Sequence, residues 1–442
     1  MRVFYSLMWW LALPLVLARL WLRGKQEPGY RQHWSERLGF YSARPQSPYR
    51  LPIWLHAVSV GETRAAEPLV DALLAAYPDC RIVLTHMTPT GRATGHSLFA
   101  KHGERLIQSY LPYDTGFMVD RFIAHFQPRI CILMETEVWP NLIARCGRHG
   151  VPVVLANARL SQRSLGKAQR LGRLIGDAAR GISLVAAQTE ADADRVRTLG
   201  AANVAVTGSV KFDVSVPPTA LATGAWLRTR IGQRSVLLCA STREGEEELI
   251  LDAYMRASAT PAVLPAGLLL VIVPRHPQRF DAVAQMVTSR GLSLQRRSTL
   301  EQSDAASTVS PGTQVLLGDS MGEMFAYYAA CDCAFIGGSL LPLGGQNLIE
   351  ACALGKPVLI GPHTFNFALV SEEAIAAGAA SLVADANDLL AQASSLLKDP
   401  APGVSRAGKD RAAMGAMALA FANRHRGATS RTMALLAPLI KG

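Results

Sequence analysis

Ile53-Trp-Leu-His56-Ala-Val58-Ser-Val-Gly-Glu62-Thr63 reads as a strand end, a turn of small residues and the start of a helix. The run Ile53–Val58 is apolar and lacks polar alternation, as in a strand covered on both faces of a parallel sheet. Similar short runs follow at Ile82–Thr85, Ile130–Met134, Val151–Ala156 and Leu184–Ala187, separated by helical stretches that include Thr63–Ala76 and Pro140–Cys146. Beyond Lys211-Phe-Asp213, the segment Val214-Ser-Val-Pro-Pro-Thr219 has linker composition. A second series then begins: Val236–Ala240, Leu268–Val273, Thr313–Leu317, Cys333–Ile336 and Pro357–Ile360. Two α/β halves of similar size predict two Rossmann-like domains facing a cleft, with ligands at the carboxyl ends of the strands. The expected divisions are an N-terminal membrane anchor at 1–25, a first domain at 26–213, a linker at 214–230, a second domain at 231–403 and a helical segment at 404–442. The Ser- and Thr-rich stretch 297–313 reads as a loop.

The 442 residues are 49% apolar and 18% charged, which excludes a disordered chain. With 45 basic and 34 acidic residues the net charge is +11, which favours acidic partners: nucleic acid, anionic lipid or phosphorylated substrates. The first fifty residues hold eight basic side chains against Glu27 and Glu36, a local excess of +6. Val3 to Ala18 carries no charge, and after Arg19 the apolar run resumes at Leu20–Leu22 before Arg23 and Lys25. Its length is borderline for a spanning helix, and its aromatic residues suit an interface. A basic cluster directly after the apolar run, with no A-x-A site, argues against a cleaved signal peptide. An uncleaved anchor and an interfacial helix both remain open, and in both the basic flank keeps the body of the protein cytoplasmic. The seven cysteines form no C-x-x-C pair and fit buried free thiols in a reducing compartment.

Several segments carry candidate chemistry. Glu62 is either the second half of a capping box with Ser59 or a general base at the rim of the cleft. Glu135 and Glu137, in Met134-Glu-Thr-Glu-Val-Trp-Pro-Asn141, follow a strand and precede a helix; one of them caps that helix or both serve the site. Lys211 stands where the first domain ends and can meet an anion or be solvated. Ser241-Thr-Arg-Glu-Gly-Glu-Glu247 suits close approach of a ligand. In Val273-Pro274-Arg275-His276-Pro277, Arg275 is a bidentate donor for phosphate or carboxylate, and His276 reads as a structural histidine. Gly318-Asp-Ser-Met321-Gly322-Glu323 also follows a strand. In Gly337-Gly-Ser-Leu-Leu-Pro-Leu-Gly-Gly345-Gln-Asn347-Leu348-Ile349-Glu350, glycines and a helix start offer amides to a phosphate, while Glu350 can hold ribose hydroxyls or belong to a helix-start charge pair. Asp192-Ala-Asp194 lies in a helical stretch and reads as a solvated face. No metal-ligand spacing and no nucleic-acid motif are present.

Eight segments in order resemble the 3-deoxy-D-manno-octulosonic acid (Kdo) transferases of Gram-negative bacteria. They are Ser59-Val-Gly-Glu62, Met87-Thr-Pro-Thr-Gly91, Tyr110-Leu-Pro-Tyr-Asp114, the Met134–Asn141 segment, Ala156-Asn-Ala-Arg-Leu-Ser161, Gly208-Ser-Val-Lys211-Phe-Asp213, Val273–Pro277 and Gly361-Pro-His-Thr-Phe-Asn-Phe367. The resemblance covers essentially the whole chain. It implies a GT-B glycosyltransferase that moves Kdo from CMP-Kdo to lipid IVA, the lipid A precursor, at the cytoplasmic face of the inner membrane. It implies Glu62 as proton acceptor, and Glu135 and Lys211 as transition-state stabilising positions. Pro274 and Arg275, Met321, Gly322 and Glu323, and Asn347, Leu348, Ile349 and Glu350 match its CMP-binding segments. No metal and no nucleic acid are expected, and the N-terminal charge is expected to meet anionic lipid. The family commonly carries Gly-Gly-His-Asn-Pro before the last glutamate; here Gln346 and Leu348 replace His and Pro. Arg243 stands where some relatives carry His. Alternatives are another membrane-associated GT-B transferase using a UDP-sugar, or a non-catalytic membrane-tethered nucleotide-binding module.

Overall fold

The computed structural model describes residues 1–42, 48–260, 263–301, 307–398 and 410–441. The chain forms two compact units, Met1–Asp213 with His425–Gly442, and Val214–Arg424. Each is built on a seven-stranded parallel sheet.

In the first unit the strands are β1 (Leu51–His56), β2 (Cys80–His86), β3 (Leu106–Tyr110), β4 (Ile130–Met134), β5 (Val153–Ala158), β6 (Leu184–Ala187) and β7 (Val204–Val206), in the order β3-β2-β1-β4-β5-β6-β7. Successive side chains of a strand point to opposite faces. Ile53, Leu55, Ile130, Ile132 and Met134 therefore enter one core, while Trp54, Cys131 and Leu133 enter another on the far side. Both faces are covered, which is why these strands read as unbroken apolar runs. The strand order reverses between β1 and β4, and a crevice opens at such a reversal.

The second unit holds β8 (Val236–Thr242), β9 (Leu269–Pro274), β10 (Leu294–Arg296), β11 (Val315–Leu317), β12 (Cys333–Ile336), β13 (Val358–Ile360) and β14 (Ala380–Leu382), in the order β10-β11-β9-β8-β12-β13-β14. Its reversal lies between β8 and β12. All seven cysteines of the chain are buried and free.

Several expected boundaries move. Most of the expected linker is helical: the helix Pro218–Ile231 takes up 218–230 and runs one residue beyond it, started by a proline at its first turn. The expected helix Thr63–Ala76 is two helices, Val60–Ala65 and Glu67–Ala76, broken ahead of Pro68. The C-terminal segment divides: Ala428–Lys441 packs Leu436 and Ile440 into the first unit's core with Ile53 and Leu55. Asp213 fixes that return by accepting hydrogen bonds from the Gly427 and Thr429 amides. Residues 404–409 of the expected C-terminal segment and 302–306 of the expected loop lie outside the described residues. The expectation for Asp192 is corrected: its carboxylate is buried and accepts from the Leu160 amide at 2.9 Å, while Asp194 faces solvent beside Arg197.

Candidate functional site

In the first unit the chemistry gathers where β1 and β4 diverge. β1 ends in His56, fully buried, with Nδ1 3.1 Å from the Thr85 carbonyl oxygen and 2.9 Å from Thr85 Oγ1. A carbonyl only accepts, so Nδ1 carries the proton. Burial pushes the imidazole down to about 3, which leaves it neutral. Nε2 then presents a lone pair, 3.9 Å from Glu137 Oε2.

Four residues after His56 the helix Val60–Ala65 begins, and Glu62 sits in its first turn. The expected capping box is not made, because Glu62 reaches the amide that precedes the cap and not the Ser59 amide itself. Glu62 Oε2 accepts from the Val58 amide at 2.8 Å, but Ser59 donates its hydroxyl to Glu62 Oε1 at 3.4 Å instead of capping the helix. The Glu62 carboxyl is raised to about 7. Burial is the main cause, reinforced by the charges of Glu137 and Glu135 and opposed by the Val58 amide.

Glu135 follows β4 with φ +57°, a left-handed conformation that costs a non-glycine residue about 1–2 kcal/mol. Lys211 Nζ lies 2.9 Å from Glu135 Oε1, and Asn157 Nδ2 donates to the same oxygen at 3.5 Å. Glu137 accepts from the Trp139 indole at 2.8 Å, and burial, with the charge of Glu135, raises its carboxyl above the usual range. The structure brings Glu62, Glu135 and Lys211 together. Glu137, the second carboxylate of the Met134–Asn141 segment, joins them, and the structure adds His56 and Asn157. Asn157 is fully buried at φ +54°, and its Oδ1 accepts from the Val210 amide at 3.2 Å, which fixes the turn carrying Lys211. Asparagine at a strand end, a residue tolerant of left-handed φ, was the available signal.

In the second unit the candidate residues line the carboxyl ends of adjacent strands. Pro274 ends β9 and Arg275 follows it, its amide bonded to the Thr242 carbonyl at 2.9 Å. Arg243 follows β8. Burial and then the charges of Arg243, Arg275 and Arg279 push the His276 imidazole below its ordinary value; Arg279 is itself paired with the buried Glu247 at 3.1 Å. Met321 and Gly322 follow β11; Met321 is exposed and Gly322 has φ +82°. Glu323 is engaged within the protein, accepting from Arg297 at 2.9 Å and from the Ser320 hydroxyl at 2.5 Å.

The glycine-rich segment differs from expectation. The Gly338, Ser339 and Leu340 amides donate to the fully buried Glu246 carboxylate at 2.6, 2.9 and 3.0 Å. Glu246 also accepts from the Arg243 amide at 2.9 Å, tying the loop after β8 to the loop after β12. The Glu246 carboxylate oxygens therefore take up the amides at and just after the first of the segment's two glycine pairs. Gly337 is required by packing, because a Cβ there would meet the Ser241 carbonyl oxygen at 2.5 Å. Gly338, at φ +72°, packs against Gln346 and Arg243: a Cβ there would stand 3.2 Å from Gln346 Nε2 and 3.6 Å from Arg243 Cγ. The helix expected from Gly345 to Gly355 spans only Ile349–Ala353. Asn347 accepts from the Ile349 amide at 3.0 Å and donates to Glu350 at 3.1 Å, while Leu348 and Ile349 are core side chains that offer a ligand only their backbone. Among the described residues no group of three His, Cys, Asp or Glu side chains is arranged to hold a metal ion.

Residues 32–214 match a family model described as 3-deoxy-D-manno-octulosonic-acid transferase (kdotransferase). The chain is 45% identical to a 3-deoxy-D-manno-octulosonic acid transferase of Bordetella pertussis over 95% of both chains. It is 41% identical to one of Haemophilus influenzae over 83% of both. A solved glycosyltransferase of Rickettsia africae is similar in fold, with a TM-score of 0.57 and 12% identity, over 89% of this chain and 99% of that one.

Proposed function

The chain belongs to the Kdo transferase family and is a glycosyltransferase of GT-B architecture, and from that premise we propose that it moves Kdo from CMP-Kdo to lipid IVA at the cytoplasmic face of the inner membrane. An acceptor sugar hydroxyl is far too weakly acidic to react unaided at neutral pH and needs a general base. Glu62 is that base. The observation that carries the reading is its carboxyl, raised to about 7 beside Glu135 and Glu137. A base poised near the working pH combines availability with proton affinity.

Departure of CMP builds positive charge on the Kdo ring, as in glycoside cleavage. Glu135 stabilises that charge. Lys211, 2.9 Å from Glu135, holds it in place and faces the anionic donor. The leaving phosphate needs its charge neutralised more than it needs a proton. Arg275 and Arg243 supply that, with Gln346 and the backbone of Asn347–Glu350. Because Glu246 occupies the amides after β12, the phosphate is held chiefly by guanidinium groups. Met321–Glu323 lines the nucleoside end. Attack opposite the departing CMP inverts the anomeric centre. Guanidinium charge takes the place a metal would fill, so transfer proceeds unchanged in EDTA.

The test is mass spectrometry of lipid IVA incubated with CMP-Kdo and the purified chain, beside Glu62→Gln. The parent yields products heavier by whole Kdo units and the variant does not. Transfer from a UDP-sugar but not from CMP-Kdo, or near-normal transfer by a folded Glu62→Gln protein, overturns the reading.

A further inference from the structure

We propose that the N-terminal helix lies flat in the membrane surface instead of crossing the bilayer, and that it is fastened to the element bearing Glu135 and Glu137; this rests on the membrane reading above. The helix Arg2–Arg23 is long and apolar enough to cross a membrane. Its two sides nevertheless have different partners. Ser6, Trp9, Leu13, Val16, Leu17 and Leu20 recur at helical spacing and face the first unit. Asn141 Nδ2 donates to Ser6 Oγ at 3.0 Å. The Trp9 and Tyr113 rings stand 5.7 Å apart. Leu20 is buried with Tyr113 and Met118. These contacts run from the second turn to the last. A bilayer core about 30 Å thick around the helix would take Asn141, Asp114 and their loop backbone into hydrocarbon, where polar groups are costly.

The opposite side is wholly apolar and exposed, with Val3, Phe4, Leu7, Leu11, Leu15 and Leu22 along it. Trp10 and Trp21 stand at its margins, where amphipathic rings settle at headgroup level. Arg19 borders the stripe, and Arg23, Lys25 and Arg31 cluster at its end, with Arg31 stacked on Trp21. A lipid surface with anionic headgroups complements both features. A second copy packed on this stripe with its helix parallel would set the two basic clusters against each other.

The fastening is specific. Asp114 accepts from the Asn141 and Leu142 amides at 3.1 and 2.7 Å, and Asn141 Nδ2 donates to the Asp114 carbonyl at 2.6 Å. Ser6 therefore bonds into the cluster that starts the helix Pro140–Arg148, and that helix directly follows the loop of Glu135 and Glu137. The helix in the surface thus sets the height of these carboxylates above the membrane that carries the acceptor. The basic excess is correspondingly smaller than its sequence count, because Arg37 is buried, stacked on Tyr110 and bonded to the Met87 carbonyl.

Single cysteines at the two ends of the helix test this. Arg2→Cys and Lys25→Cys are exposed positions, and the seven native cysteines are buried, so background labelling is low. A membrane-impermeant maleimide is applied to inside-out and right-side-out membrane vesicles holding the full chain. Both cysteines are expected to label in inside-out vesicles and neither in right-side-out ones. Labelling of the two ends from opposite faces overturns the flat arrangement, as does protection of both ends from both faces until detergent is added. Recovery of the chain in the soluble fraction has a different signature and overturns the membrane reading beneath it.

Discussion

Replacing Glu62 by Gln should slow transfer by orders of magnitude and yet stabilise the protein at alkaline pH. The carboxyl is raised from 4.5 to about 7. A shift of about 2.5 units, at about 1.36 kcal/mol each, is a ceiling of about 3.4 kcal/mol. Partial exposure of the side chain trims this to about 1–3 kcal/mol. The sign follows from proton counting. Below pH 4.5 the group is protonated in both folded and unfolded chains and its burial carries no charge penalty. Between 4.5 and 7 the folded chain keeps a proton that the unfolded chain has lost, so stability falls as pH rises. Above 7 the whole penalty is present. Glutamine removes the charge while its carbonyl still accepts from the Val58 amide. The variant should therefore match the parent near pH 4.5 and exceed it by about 1–3 kcal/mol at pH 8.5. Urea unfolding at the two pH values measures this. In the same protein kcat should fall by about 10²–10⁴-fold, the usual contribution of a general base. The parent's kcat/KM should rise through pH about 7, since the base must be ionised, and the variant should lose that limb. Equal destabilisation of the variant at both pH values would refute the reasoning, because it would make Glu62 a cap whose charge is useful to the fold.

Lys211→Met removes the cation 2.9 Å from Glu135; kcat should fall by about 10²-fold while the CMP Kd, which the proposed function assigns to the second unit, stays unchanged in calorimetry. Asn157→Ala strips the acceptor from the buried Val210 amide and puts a Cβ-bearing residue intolerant of left-handed φ at +54°, so about 2–4 kcal/mol of stability should be lost in denaturant melts. Asn157→Gly should recover the backbone part of that loss only. Glu246→Ala orphans three buried amides and the half-buried Arg243 amide, and should cost more than about 3 kcal/mol in the same melts. It should also weaken CMP binding at least about tenfold, because Arg243 and Gly338 lose their common tie.

The sequence was legible wherever a segment is buried on both sides. β4, β6 and β12 lie where their apolar runs predict, to the residue. The four strands it missed, β3, β7, β10 and β14, are the four sheet edges. Edge strands have one neighbour and partial cover, so Leu106-Ile-Gln-Ser-Tyr110 and Leu294-Gln-Arg296 need no continuous apolar run. The same logic separates the two glutamate readings. Glu62 and Glu135 were visible because a carboxylate after a buried strand is conspicuous. Glu246 was not, because it sits in an acidic helix start, Glu244-Gly-Glu-Glu-Glu248, that reads as a favourable charge at a helix N-terminus. Only the fold reveals that Glu246 turns inward to amides 92–94 residues away in sequence while Glu244 and Glu248 face solvent.

Both sheets meet one geometric problem with related means. Where strand order reverses, two loops diverge and leave backbone amides that must find acceptors. In the second unit Glu246 spends both oxygens on four such amides, so it has none left for a ligand. In the first unit the demand is shared. Asn157 takes the Val210 amide, and Glu62 takes only the Val58 amide, through Oε2. Oε1 keeps a single long contact, 3.4 Å from the Ser59 hydroxyl. Glu135, Asn157 and Ser241 all hold left-handed φ at these strand ends, strain that persists only where surrounding bonds over-determine the backbone. A carboxylate anchored by one oxygen, with its second oxygen weakly held and its charge opposed by two neighbours, is fixed in place without being neutralised. On the proposed mechanism the acceptor's proton therefore arrives at Glu62 Oε1, and the bond from Val58 to Oε2 persists through the transfer.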